Sequence, residues 1–116
     1  MFAKHVLPLL LEHGNTASDA ATYPPTLIFT GATASVKGSA KFGAFAAGKW
    51  AVRALSQSLA REFGPQGVHV AHAVIDGVID GPRTERYQIA KEKKISPDAV
   101  STRISHAWGH GEITNG

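Results

Sequence analysis

The chain has 116 residues and a mass of 12.2 kDa, room for one compact domain rather than two. With 43% hydrophobic and 18% charged residues, 12 Gly and 6 Pro, it has the composition of a globular chain, neither disordered nor collagen-like. The absence of cysteine excludes disulfides, thiolate zinc sites, iron–sulfur clusters and a Cys nucleophile, and 12 Lys and Arg against 9 Asp and Glu leave a net charge of +3. That excess sits in one place: between Pro82 and Lys94, Arg83, Arg86, Lys91, Lys93 and Lys94 face only Glu85 and Glu92. A basic stripe this short, with a single Tyr87 in it, reads as a solvated helix face, so no nucleic-acid partner is expected. Apolar runs are interrupted every few residues, which excludes a membrane span. The opening MFAKHVLPLLLEHG lacks a small-residue cleavage pattern, which makes the cytoplasm the expected compartment.

In chain order, residues 3–13 predict a helix, with Ala3, Val6, Leu7, Leu10 and Leu11 three and four apart and Gly14 as a stop. Pro8 predicts a kink or a late start. NTASDAATYPP, Asn15 to Pro25, reads as a loop. Thr26 to Thr30, TLIFT, is a short apolar run stopped by Gly31, the pattern of a strand buried on both faces. Small residues to Ser39 make a tight loop, and Ala40 to Phe63 reads as a long alanine-rich helix closed by Gly64 and Pro65. After GPQG, His69 to Ile75 is a second strand, so strand, helix and strand form a βαβ unit of a parallel sheet. Pro82 to Lys94 reads as a charged helix. Ser96 before Pro97 and Asp98 marks the start of another, stopping near Gly109, and GHGEITNG reads as an untethered tail.

Several local matches carry little chemistry. GAFAAGK, Gly43 to Lys49, has phosphate-loop spacing, but Trp50 stands where a metal-binding hydroxyl is needed and the segment lies in a helical pattern. TGATASVKG, Thr30 to Gly38, has Ser35 and Lys37 where a dinucleotide turn needs glycines. His69 and His72 are three apart on a strand and point to opposite faces; His106 and His110 flank Gly109 without a third ligand, so no metal is expected. There is no Gly-x-Ser-x-Gly elbow for acyl transfer. Lys49 remains: its helix begins just after a buried strand, which puts it at the carboxyl edge of the sheet, where open α/β sheets bind ligands, although snorkelling beside Trp50 accounts for it equally well.

From Val6 to about Thr84 the segments LPLLLEHG, TLIFTGATAS, FGAFAAGKWAVRALSQSLAREFGPQGVHV and AVIDGVIDGPR, about two thirds of the chain, follow one another in an order that resembles the carboxyl-terminal half of a short-chain dehydrogenase/reductase. The resemblance implies an α/β protein, a partial Rossmann-like fold of parallel strands with crossover helices. Residues 1–94 would be the carboxyl-terminal part of an NAD(P)-binding domain and 95–116 a terminal helix and tail. In that family a Ser ends a strand, a Tyr follows about 13 residues on, and a Lys stands one helical turn after the Tyr; the Tyr exchanges the proton during hydride transfer and the Ser holds the substrate oxygen. Carried over, the resemblance places Lys49 at the Lys, Phe45 at the Tyr and Ala32 at the Ser, with Ser35 the nearest hydroxyl on the same loop. The nicotinamide-contacting segment becomes Asp76, Gly77, Val78 and Ile79, where Asp76 replaces the family's proline and Gly81 its threonine. NAD(P)(H) is thus the cofactor of full-length relatives. None is expected to bind this chain alone, because the glycine-rich turn and first strands of the nucleotide sheet are not in it, and the chain is expected to be catalytically silent. A rival reading is a homo-oligomerising interaction module built on helices 3–13 and 40–63, through Leu10, Trp50, Leu55 and Leu59, with Ala46, Ala47 and Ala51 allowing close approach. A truncated gene product without function is the third.

Overall fold

The computed structural model describes residues 2–16, 24–86 and 94–109. Five elements carry the fold: α1 (Phe2–Thr16), β1 (Thr26–Ala32), α2 (Gly43–Phe63), β2 (His69–Ile75) and α3 (Pro97–Gly109), with single 3₁₀ turns at Thr33–Ser35, Gly64–Gln66 and Pro82–Thr84. β1 and β2 pair in parallel, from Thr26 against His69 to Ala32 against Ile75, and α2 makes the crossover. This is the α/β, partial Rossmann-like arrangement that the sequence predicts.

Leu27 and Val70, opposite each other in the register, are buried together with Ala3 and Leu7 of α1, Leu59 of α2 and Val68. Val6, Leu10, Leu11, Phe29, Leu55, Ala60 and Phe63 pack around them, so α1 and α2 close one face of the sheet through one shared core. On the other face, Ile28 and Ala73 line a cavity of about 200 Å³ with Arg103 and Ile104 of α3.

The boundaries differ from the sequence reading in four places. α1 runs unbroken through Pro8 and past Gly14: Pro8 is on the exposed side, where the Lys4 carbonyl that it leaves without a helical donor can reach water. α2 starts at Gly43 and not at Ala40, because Lys41 takes a left-handed φ of 69° and Phe42 is outside the helical region at φ −110°, ψ 17°. β1 continues through Gly31 to Ala32 and is not buried on both faces; Ile28 is 39% exposed, and on β2 Val74 is 45% exposed. A sheet with two strands among the described residues has too few neighbours to cover every apolar side chain. The stretch from Pro82 opens with a single 3₁₀ turn and not an α-helix; residues 87–93 lie outside the described residues. Ser96 does cap α3, its Oγ accepting the Ala99 N–H at 3.1 Å.

Candidate functional site

Both strands end at the same edge of the sheet, and the chain leaves each in a way that shapes a cleft. After β1 the backbone tightens into the Thr33–Ser35 turn, where the Val36 and Lys37 N–H groups both donate to the Thr33 carbonyl at 3.0 Å. After β2 it turns at Gly77, whose φ of 157° favours glycine and where a Cβ would stand 2.7 Å from Ile95 Cδ1. The loop is then pinned: the Ile95 N–H donates to Val78 O at 2.9 Å, the Asp80 N–H to Ile95 O at 2.8 Å, and Lys94 Nζ lies 3.3 Å from Asp80 Oδ1. Between these exits and the start of α2 lies a cleft of about 590 Å³, with Phe42, Phe45, Ile75 and Val78 as its apolar wall and Thr33, Lys37 and Ser39 as its polar groups. Its volume falls in the ordinary range for a small-molecule site.

Lys49, in the second turn of α2, reaches down to the sheet edge: its Nζ donates to the Thr30 carbonyl at 2.9 Å and lies 5.8 Å from the centre of the Phe45 ring. Lys49 and Phe45 are therefore neighbours at the carboxyl ends of the strands. Ala32, at the end of β1, lines the cleft without a hydroxyl. Ser35 does not face it. Its side chain is fully buried, its Oγ accepts the Ala32 N–H at 3.0 Å, and its carbonyl accepts from Arg53 at 3.3 Å. The hydroxyl that resemblance offered for a substrate oxygen is thus spent on closing its own turn. Of the segment Asp76, Gly77, Val78 and Ile79, Gly77 and Val78 line the cleft, whereas Ile79 is bridged to Ile95.

One polar pair escaped the sequence reading. Thr33 Oγ1 donates to the exposed carboxylate of Asp76, joining the two strand exits; Thr33 lines the cleft and Asp76 does not. The sequence places Asp76 in the nicotinamide-contacting segment by resemblance, and nothing in the pattern of residues singles out Thr33; the turn after β1 brings the two together.

Beneath the edge, Gly31 gives His72 its place: a Cβ there would be 2.3 Å from His72 Cε1. The Nε2 of His72 is buried without a hydrogen-bond partner among the described residues. Burial first, and then the charges of Arg53 and Lys49, push its pKa below the ordinary imidazole value. GAFAAGK forms the first turns of α2, a helical backbone and not the open loop whose successive amides wrap a phosphate. No cluster of metal-ligating side chains occurs among the described residues; His110 lies outside them. No helix among them is long and apolar enough to cross a membrane.

The family model for short chain dehydrogenases matches residues 10–92, which takes in the strand exits, α2 and the loop after β2. The chain belongs to the short-chain dehydrogenase family. Among solved structures, a short-chain dehydrogenase from Rhodopseudomonas palustris is similar to it, with 35% sequence identity and a TM-score of 0.52 over 80% of this chain. The match spans 41% of that dehydrogenase's length. No curated protein matches the sequence. In this member of the family the cleft lies at the strand ends, with Phe45 beside Lys49.

Proposed function

We propose that this chain corresponds to the carboxyl-terminal, substrate-facing part of an atypical NAD(P)-dependent short-chain dehydrogenase, and that it does not transfer hydride by itself. The observation that carries the reading is the pairing of Lys49 with Phe45. Where the family resemblance calls for a phenol activated by the Lys, a benzene ring stands 5.8 Å from the ammonium, with no proton to exchange. Removing a positioned proton donor lowers a rate on the order of 10²–10⁴-fold. The oxygen-holding group fails as well, since Ala32 has no hydroxyl and Ser35 turns its own inward.

The reading that this chain alone holds no whole dinucleotide is supported by its glycines. Gly31, in the segment where a pyrophosphate turn would lie, is packed on His72 and the Ala73 carbonyl, and Gly43 and Gly48 are helical. Lys49 holds the Thr30 carbonyl, Thr33 and Asp76 tie the two strand exits, and Phe42, Phe45 and Val78 keep the cleft apolar.

The test is a hydride-transfer assay on the purified chain, with NADH and NADPH against a panel of ketones and aldehydes and with the oxidised cofactors against alcohols. No chain-dependent change in nicotinamide absorbance is expected. Turnover that disappears in Lys49→Met would overturn the reading.

A second reading, self-association through α1 and α2, is favoured by Trp50 and Leu9, which are 47% and 60% exposed. Its anchors are fewer than the sequence suggests, because Leu59 is buried in the chain's own core and Leu10 and Leu55 pack against it. Sedimentation of the wild type and of Trp50→Glu distinguishes the two: a dimer abolished by the substitution supports association, and a monomer at every concentration removes it.

A further inference from the structure

We propose that the pocket between α2 and β2 is a binding site for a small oxyanion of the size of sulfate or phosphate. It shares no lining residue with the cleft at the strand ends, so it stands whether or not hydride is transferred there.

The pocket has a volume of about 130 Å³, room for a tetrahedral ion and a water or two but not for a larger organic body. Val70 and Val74 give it an apolar floor, and its polar lining comes from Arg53, Ser56 and Gln57 of α2 and His72 of β2. Arg53 and Gln57 are one helical turn apart and share a face of the helix. Arg53 has no carboxylate partner among the described residues. One of its N–H groups reaches the Ser35 carbonyl at 3.3 Å and its guanidinium lies 5.8 Å from the centre of the Trp50 ring, which leaves several donors over. The Gln57 side-chain amide has no partner among the described residues. His72 Nε2 is turned to Gly31 and buried without an acceptor; a proton there would be stranded, so the neutral ring carries it on Nδ1, a third donor. Ser56 offers none, since its Oγ donates to the Arg53 carbonyl at 2.7 Å and so steadies the backbone that presents the guanidinium. No Asp or Glu lines the pocket. After burial, it is the charges of Arg53 and Lys49 that hold the His72 pKa down, the mark of a positive field with no carboxylate set against it. Donors, an unanswered positive charge and an apolar floor are complementary to an oxyanion, whose hydrogen bonds to such groups are the strong, charge-assisted kind. A cation would meet like charge there, and a neutral carbonyl would gain little from the field.

The experiment follows the amide NMR spectrum of the full chain as sulfate is added at neutral pH, with chloride keeping the ionic strength fixed. Amides of residues 53–57 and 70–74 are expected to shift together and to saturate, with a dissociation constant on the order of 1 mM. Arg53→Gln should weaken binding about tenfold, the size of effect that one hydrogen bond to a charged group supplies, and Gln57→Ala severalfold. Lys4→Gln, which removes the same unit of charge from the exposed side of α1, should leave the constant unchanged. Far-UV circular dichroism shows whether each variant folds; should Arg53→Gln fail, Gln57→Ala decides. Methyl phosphate in the same titration separates the two sources of such a group: binding comparable to that of sulfate assigns the pocket to the phosphate of a larger molecule, binding of sulfate alone assigns it to a free ion, and both uphold the site. Shifts that never saturate, shifts spread over the whole surface, or a constant that Lys4→Gln changes as much as Arg53→Gln would each overturn the proposal.

Discussion

A methyl group at Gly31 would have nowhere to go. It would stand 2.3 Å from the His72 ring and 2.9 Å from the Ala73 carbonyl oxygen, and the second of these is backbone held by the strand pairing. Gly31→Ala is expected to lower stability by about 1–3 kcal/mol, the ordinary effect of overpacking, as read from urea unfolding; an unchanged midpoint would mean that the two strands are not in this register. His72 itself predicts a pH dependence. Its folded pKa is depressed below the unfolded value near 6.5, so the unfolded chain binds the proton first. Stability is then fully present above pH 6.5 and is lost as the pH falls from there toward the depressed folded value. His69, lowered by burial, acts in the same direction. His72→Gln should make the decline below pH 6.5 shallower; a slope identical to wild type would contradict the assignment. At this scale the sequence was informative where side chains follow a regular period. Lys49 and Phe45 are one helical turn apart and meet as their spacing implies. Ser35 and Thr33 sit in a 3₁₀ turn, where no period tells which hydroxyl faces inward, and the one that resemblance favoured is the buried one.

Among the elements, β2 and α3 have the bounds that the sequence implies, for reasons that are local: Gly67, at a left-handed φ of 82°, breaks the chain before β2, and Ser96 supplies the cap for α3. Ser96→Ala should cost about 1 kcal/mol of α3 stability, seen as reduced helicity by circular dichroism. α1 and the start of α2 were less legible. Pro8 stays inside α1 because Leu7 and Ala3 are anchored in the core, a tertiary contact that outweighs the lost backbone bond, while the left-handed Lys41 delays α2. Leu59→Ala removes the α2 side chain that meets Leu27 and Val70 in that core and should cost about 2–5 kcal/mol in urea unfolding. A loss well under 1 kcal/mol would show that α2 does not pack on the sheet in this way.

For the molecule as a whole, the order of strand, helix and strand was readable because each element has its own period and each boundary its own glycine or proline. How far the sheet is covered was not, since burial depends on neighbours that no local pattern names; Ile28 and Val74 look like core residues in sequence and are half-open in the fold. The same holds for the cleft, whose walls come from two strand exits and a helix start far apart in the chain. What these walls offer is an apolar pocket with a Thr–Asp pair at its edge, and a Lys facing a ring that cannot ionise. The most direct measurement is a fluorescence titration of the purified chain with NADPH and NADH. No saturable change is expected through the micromolar range with either cofactor; saturable binding at micromolar concentration, weakened in Lys49→Met, would contradict the silence proposed for this chain.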